Sequence, residues 1–183
     1  MLYSLKNCRN GESAVYPTTV DITEKDNILT FRFTAAHSSF YCPHEGYNKI
    51  HSEGDACEVL IGSDPARKTY FEIEISANGD LMLAEMTNYG DDEKNEPILG
   101  LSFIDDCFIK SHVERSGDGY IATISFDKRH VLKHGEDIYF NAYRLETDGG
   151  EMDKHLFALF PTMKHKFHVP SYFSPLSEYV SAE

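Results

Sequence analysis

Residues 70–79 read YFEIEISANG, a segment in which apolar and polar side chains alternate with a period of two. This period predicts a β-strand with one apolar face and one polar face. The pair Asn78-Gly79 combines residue types that tolerate positive φ, and it predicts a two-residue hairpin turn with a return strand that begins near Leu81. Glu72 and Glu74 then share the outward face of the strand.

The preceding segment, residues 55–61, reads DACEVLI and predicts a second strand, which carries Glu58. Further strands are predicted over residues 29–34, 81–86, 108–113, 120–126, 138–143 and 156–160. No segment has a helical apolar stripe of a dozen residues, and the tail 164–183 is expected to be extended. These short strands predict an all-β fold, an antiparallel β-sandwich of the jelly-roll or immunoglobulin-like kind, with a closed barrel as the alternative.

Size and charge narrow the classes of function. The 183 residues, 41% of them hydrophobic, predict one globular domain over residues 1–183. A net charge of −13 disfavours nucleic acid as a partner, whereas neutral sugars and cations are compatible with it. No apolar stretch approaches the roughly 18 residues of a membrane span, so no membrane partner is predicted. The first ten residues lack a signal-peptide pattern, which predicts a cytoplasmic location, or a secreted one if a leader was removed.

Histidines are numerous, but their spacing gives little evidence of a metal site. His130 and His134 are four residues apart, and His165 and His168 are three apart. Zinc needs three or four converging ligands, and the sequence has no HExxH pattern on a helix. Surface histidines are therefore the expectation.

Paired carboxylates are the first candidate for chemistry. Glu72 and Glu74 are two residues apart on one strand face, which places their Cα atoms about 6.6 Å apart. Two carboxyl groups separated by roughly 5–9.5 Å can hydrolyse a glycosidic bond. The spacing alone nevertheless favours an ordinary solvent-facing strand over a catalytic pair.

Oxygen ligands for calcium are present in predicted turns. They are the acidic run 91–93 and the isolated residues Asp55 and Asp80. Calcium takes six to eight oxygen ligands, and no EF-hand loop supplies them, so the sequence leaves the metal unknown.

Aromatic side chains in predicted loops are the second candidate for ligand contact. A flat ring can pack against the apolar face of a sugar, although for any one of these residues packing at the rim of the sandwich is the favoured interpretation. The candidates are Tyr41, Tyr47 and Tyr89.

Four motifs, in order, resemble one known family. They read GDACEVLI at 54–61, YFEIEISANG at 70–79, FNAYR at 140–144 and FHVPSYF at 167–173. They are similar to motifs of the family 9 carbohydrate-binding modules and of the family 9-like domains related to them. The resemblance covers roughly residues 29–176. The sequence departs from the family in having no Trp and in having Ser174 where the closing motif has Gly.

The resemblance implies a β-sandwich that binds a saccharide without cleaving it, often attached to xylanases and often with structural calcium. It places Glu58, Glu72 and Glu74 where polar contacts to the ligand occur. It also suggests Asn141 and Arg144 as ligand contacts. Because Trp is absent, tyrosines would replace the aromatic platforms of the family.

Three hypotheses of function follow from the residues and the resemblance. The first is a non-catalytic carbohydrate-binding domain whose glutamates accept hydrogen bonds from sugar hydroxyls. The second is a xylanase-like glycoside hydrolase that uses two of those carboxylates. The third is an intracellular interaction domain that kept the fold and lost sugar binding. Sequence leaves the oligomeric state open.

Overall fold

The computed structural model describes residues 1–37, 40–50, 54–90, 99–148, 150 and 154–182, and their regular structure is almost entirely β-strand. The strands are β1 (Leu2–Ser4), β2 (Lys6–Asn7), β3 (Thr18–Lys25), β4 (Ile28–Ala36), β5 (Ala56–Gly62), β6 (Thr69–Ser76), β7 (Leu81–Asn88), β8 (Leu99–Phe103), β9 (Lys110–Ser116), β10 (Gly119–Asp127), β11 (Tyr139–Glu146), β12 (His155–Ala158), β13 (Ser174–Pro175) and β14 (Ser181–Ala182). Short 3₁₀ turns cover Lys128–His130, Pro170–Tyr172 and Leu176–Glu178. No helix in these ranges is long and apolar enough to cross a bilayer.

The strands form two sheets that pack face to face. The six-stranded sheet has the order β1-β3-β4-β10-β9, with β14 beside β3. The eight-stranded sheet has the order β2-β12-β11-β5-β6-β7-β8, with β13 beside β11. Neighbours along both sheets are antiparallel, and β14 runs parallel to β3. The predicted antiparallel β-sandwich is confirmed, and the separate sheets exclude the closed barrel.

The core between the sheets is filled by alternate residues of the central strands. Phe31 and Phe33 of β4 belong to the same buried cluster as Val59 of β5 and Ile73 of β6. All four are completely buried, and each such side chain stabilises the fold by about 1.5–3 kcal/mol. Residues at even spacing therefore face inward, as the period of two predicts.

The opposite face of the eight-stranded sheet is buried as well. Tyr70, Met86, Tyr143 and Phe173 form a second apolar cluster there, and Phe167 packs against it. The chain that follows β12 supplies Phe167 and Phe173, so this segment lies over the sheet. The expectation of a solvent-facing polar surface on β6 is wrong, because the alternation of side chains does not reveal which other segment covers a face.

The connection between β6 and β7 is wider than the predicted two-residue turn. Four residues, 77–80, separate the strands, and Gly79 is the member of the Asn78-Gly79 pair that has a positive φ, 95°. The Ser76 hydroxyl accepts hydrogen bonds from the backbone N–H groups of Asn78 and Asp80, which stabilises this wider loop. The return strand begins at Leu81, as predicted.

Several elements have no counterpart in the sequence prediction. Strand β3 pairs with β4 through a tight turn in which Asp26 and Asn27 have φ values of 51° and 66°. The alternation of Val20 and Ile22 with polar neighbours is the signal for β3. The tail predicted to be extended instead contains two 3₁₀ turns and the short strands β13 and β14.

A carboxylate cleft as the candidate functional site

The glutamates of β5 and β6 meet on the outward face of the eight-stranded sheet. The register places Glu58 opposite Glu74, and Glu72 lies two residues away on the same face. Their side chains line a cleft of about 440 Å³, which we call the carboxylate cleft. The structure thus brings together Glu72 and Glu74, which the alternation places on one strand face, and Glu58 of the neighbouring strand. Their role in ligand binding stays a prediction.

The rest of the cleft wall is mostly apolar. The apolar lining residues are Met86, Leu99, Leu101, Leu145, Leu156 and Phe167. Lys154 and His168 add two polar groups. A cavity of roughly 300–1,000 Å³ with apolar walls and a few converging polar groups is typical of small-molecule sites.

Burial changes the acid–base character of the glutamates. Glu58, Glu72 and Glu74 are 6%, 2% and 2% exposed. Burial raises the pKa of Glu58 well above its usual value, and the neighbouring carboxylates Glu72 and Glu74 raise it further. Burial also raises the pKa of Glu72, to about 7. The cleft therefore holds protons at neutral pH, unlike the wet sheet face expected from the sequence.

Phe167 and His168 come from the segment that crosses the sheet. The Phe167 ring stacks on Tyr143 with centroids 4.4 Å apart, and the Tyr143 hydroxyl donates to the Phe167 carbonyl at 2.9 Å. A hydrogen bond of 3.0 Å joins His168 Nδ1 to the Tyr70 hydroxyl, and His168 Nε2 lies 3.8 Å from Glu72 Oε1. The sequence predicted no ligand contact for Phe167 and only a surface position for His168. Their motif was visible, but nothing in its spacing shows that it folds onto β6.

Asn141 and Arg144 do not line the carboxylate cleft. The Asn141 amide donates to the Phe160 carbonyl at 2.8 Å and accepts from the Phe160 N–H, so it fixes the chain after β12. Arg144 projects from the opposite face of the sheet and is completely buried. Its guanidinium donates to Thr18, to the Ala36 carbonyl and to Glu146. Contact of these two residues with a ligand stays a prediction, and it does not involve the lining of the carboxylate cleft.

The three tyrosines also lie outside the carboxylate cleft. Tyr41 is partly exposed, and its backbone N–H donates to Asp55 at 2.7 Å. Tyr47 packs on the core and donates to the Ile104 carbonyl at 2.5 Å, and burial raises its pKa to about 12. Tyr89 is 68% exposed and lines a separate cleft, together with Arg67 and Pro170 among others. The aromatic ring in the lining of the carboxylate cleft is that of Phe167, and sugar contact by the three tyrosines stays a prediction.

Two groups of potential metal ligands converge within the described ranges. They are His37 with Asp55 and Glu146, and Glu58 with Glu72 and His168. In the first group both Asp55 oxygens already accept hydrogen bonds, from the Thr147 N–H and hydroxyl and from a backbone N–H.

The two described residues considered for calcium already accept hydrogen bonds within the fold. Asp55 accepts them with both oxygens, and Asp80 Oδ1 accepts the Gly46 N–H at 2.8 Å. Calcium, which takes six to eight oxygen ligands, stays a prediction. The acidic run 91–93 lies outside the described residues.

Several solved structures share this fold. A Bacteroides uniformis protein provisionally assigned to carbohydrate binding matches over 100% of this chain and 86% of its own, with a TM-score of 0.74 and 14% identity. A family 9 carbohydrate-binding module from Caldicellulosiruptor kristjanssonii, in complex with glucose, matches over 99% and 84%, with a TM-score of 0.64 and 12% identity. The chain has the fold of a family 9 carbohydrate-binding module.

A second structure of a family 9 module from Caldicellulosiruptor kristjanssonii, in complex with cellotriose, matches over 99% of this chain and 83% of its own. Its TM-score is 0.57 and its identity is 10%. No family model matches the sequence, and no curated protein matches it. The resemblance drawn from the four motifs is therefore confirmed for the fold, and the ligand has to be argued from the cleft.

Proposed function

We propose that the protein binds a saccharide in the carboxylate cleft and does not cleave it. The observation that carries this proposal is the gathering of Glu58, Glu72 and Glu74, all buried, in a cleft with apolar walls. Glu58 Oε1 is buried and has no hydrogen-bond partner among the described residues, and a buried polar atom is costly unless a partner satisfies it. A sugar offers many hydroxyl groups on a ring with apolar faces, so it matches both parts of this surface.

The protonation of the cleft suits hydroxyl groups, which both donate and accept hydrogen bonds. Because the pKa of Glu58 is raised, its protonated form can donate one hydrogen bond and accept another. Glu72 is divided between its two forms near pH 7. Phe167, held by Tyr143, offers a ring for the apolar face of the sugar.

Binding of saccharides by similar folds supports the choice of probes. The Caldicellulosiruptor kristjanssonii modules were seen with glucose and with cellotriose. These two sugars therefore come first in a panel that also includes xylose-, mannose- and galactose-based oligosaccharides.

Calorimetric titration of the intact chain with this panel tests the proposal. We expect at least one saccharide to bind, and Glu74→Gln to weaken binding by about tenfold or more, since a hydrogen bond to a charged group contributes about 1.5–3 kcal/mol. Glu114→Gln is the matched control, because Glu114 is an exposed glutamate on the six-stranded sheet. If no saccharide of the panel binds, the result contradicts the proposal and favours an interaction domain without sugar binding.

One observation favours glycoside hydrolysis as a second candidate. Burial raises the pKa of Glu72 to about 7 in the cleft that Glu58 also lines, on a sheet face that the sequence predicts to be solvent-facing. A general acid next to a second carboxylate is the arrangement that retaining and inverting glycosidases use. Incubation with nitrophenyl glycosides distinguishes the two functions: a hydrolase releases nitrophenol with turnover that Glu72→Gln abolishes, whereas a binding protein releases none.

A further inference from the structure

The deepest part of the carboxylate cleft brings three different ligand-type residues together. One carboxylate oxygen of Glu58, one of Glu72 and a ring nitrogen of His168 all lie within 4.8 Å of one another. The pair His168 Nε2 and Glu72 Oε1 is 3.8 Å apart. Zinc lies about 2.0–2.2 Å from nitrogen and carboxylate ligands, so neighbouring ligand atoms in a tetrahedral site are about 3.4 Å apart. Small side-chain adjustments would therefore bring the three atoms to zinc geometry.

Glu58 gives independent evidence that the cleft awaits a ligand. Its side chain is 6% exposed and lines the cleft. Its Oε1 atom is buried and accepts no hydrogen bond from any residue within the described ranges. Buried polar atoms in folded proteins are nearly always satisfied, and a bound ion is one of the few explanations for an exception.

The orientation of His168 matches that of a metal-binding imidazole. When Nδ1 carries the ring proton and donates it to the Tyr70 hydroxyl, the lone pair of Nε2 faces Glu72. Metal-bound histidines almost always donate their second N–H to such a partner, which fixes the tautomer and the ring orientation. Tyr70 is itself 1% exposed, so this partner is held firmly.

The charge of the cleft also favours a cation. Three buried carboxyl groups line it, and Lys154 and His168 are the residues with basic side chains in its described wall. Carboxyl groups bind a metal ion in their deprotonated form, so a divalent cation would take the place of protons on Glu58 and Glu72 and offset the resulting carboxylate charge.

We propose that Glu58, Glu72 and His168 bind one divalent transition metal ion, with Zn²⁺ as the best match. Two carboxylates and one imidazole suit zinc, whereas calcium takes oxygen ligands alone. Three protein ligands leave one position of a tetrahedral site open toward the cleft. If the proposed saccharide function holds, a sugar hydroxyl can occupy that position. The metal site itself does not depend on the saccharide.

Titration of the chelator-treated, dialysed protein with Zn²⁺ in the absence of sugar tests this site. We expect one high-affinity ion per chain and a loss of affinity exceeding 100-fold in both Glu58→Gln and His168→Gln. Tyr70→Phe, which removes the partner of His168, is expected to lose about 10–100-fold. His165→Gln and Glu114→Gln are the matched controls, because both residues are exposed and outside the cleft.

Cobalt substitution together with circular dichroism distinguishes a variant that has lost the metal site from one that has unfolded. Co²⁺ bound in a four- or five-coordinate site gives visible absorption bands, and these are expected in the wild type and in His165→Gln but not in His168→Gln. Circular dichroism spectra should coincide for all variants. The proposal is overturned if no zinc binds, if Glu58→Gln and His168→Gln retain wild-type affinity, or if His165→Gln loses zinc equally. Saccharide titrations in chelator report on the proposed function separately.

Discussion

Buried carboxyl groups lie on both faces of the eight-stranded sheet, and the two sets differ in the residues that surround them. On the inner face, Asp55 and Glu146 are both completely buried. Asp55 accepts hydrogen bonds from the backbone N–H groups of Tyr41 and Thr147 and from the Thr147 hydroxyl. Glu146 pairs with Arg144, whose charge lowers the Glu146 pKa, but burial outweighs this effect and raises the pKa to about 7.

On the outer face, Glu58, Glu72 and Glu74 are almost as buried but have no arginine among the residues that line their cleft. Burial and mutual repulsion raise the pKa of Glu58, and burial raises that of Glu72. The two faces therefore differ in the cations that line them: an arginine pairs with Glu146, whereas no arginine of the described ranges lines the outer cleft. A cleft with clustered buried carboxyl groups of raised pKa is a candidate functional site.

Removal of the inner guanidinium gives the largest effect that this comparison predicts. Arg144→Met leaves Glu146 without its partner and also removes the hydrogen bonds to Thr18 and the Ala36 carbonyl. Breaking a buried ion pair from one side costs about 3–5 kcal/mol, so we expect the free energy of unfolding to fall by that amount. Urea denaturation followed by tyrosine fluorescence measures it.

An exposed pair on the same molecule provides the control for this prediction. Arg129 pairs with Asp127 while its own side chain is 75% exposed. Arg129→Met should change the free energy of unfolding far less than Arg144→Met does, because solvent screens an exposed ion pair. Equal stability losses in the two variants would mean that the Arg144–Glu146 pair contributes no more than an exposed ion pair. The proposed difference between the inner and outer faces would then be wrong.

In the outer cleft, we expect replacement of a charged residue to raise the free energy of unfolding instead of lowering it. The pKa of Glu72 is raised from 4.5 to about 7 in the folded protein, so the folded state binds its proton more tightly than the unfolded chain. Stability from this group is complete below about pH 4.5 and is lost as the pH rises through about 7. The loss amounts to about 3 kcal/mol at pH 8 and above, since one pKa unit corresponds to about 1.4 kcal/mol.

Glu72→Gln removes that ionisation and should make the chelator-treated protein more stable than wild type at pH 8, with little difference at pH 4.5. Thermal unfolding at the two pH values measures the change. Glu114→Gln, an exposed glutamate, should show no such pH-dependent gain. A Glu72→Gln variant that is less stable at pH 8 would mean that Glu72 is as well matched as Asp55.

The β-sandwich was predictable because its strands carry a local signal. Alternation in residues 29–34 and 70–75 depends on each strand alone, and the structure places their apolar residues in one core. The convergence of Glu58 with Glu74 followed from antiparallel pairing of neighbouring strands.

What the sequence did not reveal depends on contacts distant in the chain. Residues 167–173 fold over β6, and this buries Glu72 and places His168 beside it. No local pattern encodes that contact. The sequence therefore wrongly predicted that the Glu72 face of β6 is open to solvent and that His168 is an ordinary surface residue. The family motif likewise names Arg144 without indicating its sheet face, and the structure places it on the inner face. The number of domains, the cytoplasmic location and the xylanase association stay predictions.

The smallest expected effect concerns the aromatic part of the carboxylate cleft. Phe167→Ala removes the ring that lines the cleft and stacks on Tyr143, and we expect saccharide binding to weaken by about 2–10-fold, because aromatic contacts contribute about 0.5–1.5 kcal/mol. Tyr89→Ala is the matched control, since Tyr89 is 68% exposed and lines a different cleft. If the Tyr89 variant loses affinity and the Phe167 variant keeps it, the sugar binds where the loop tyrosines were first predicted to hold it, and the outer carboxylates need another ligand.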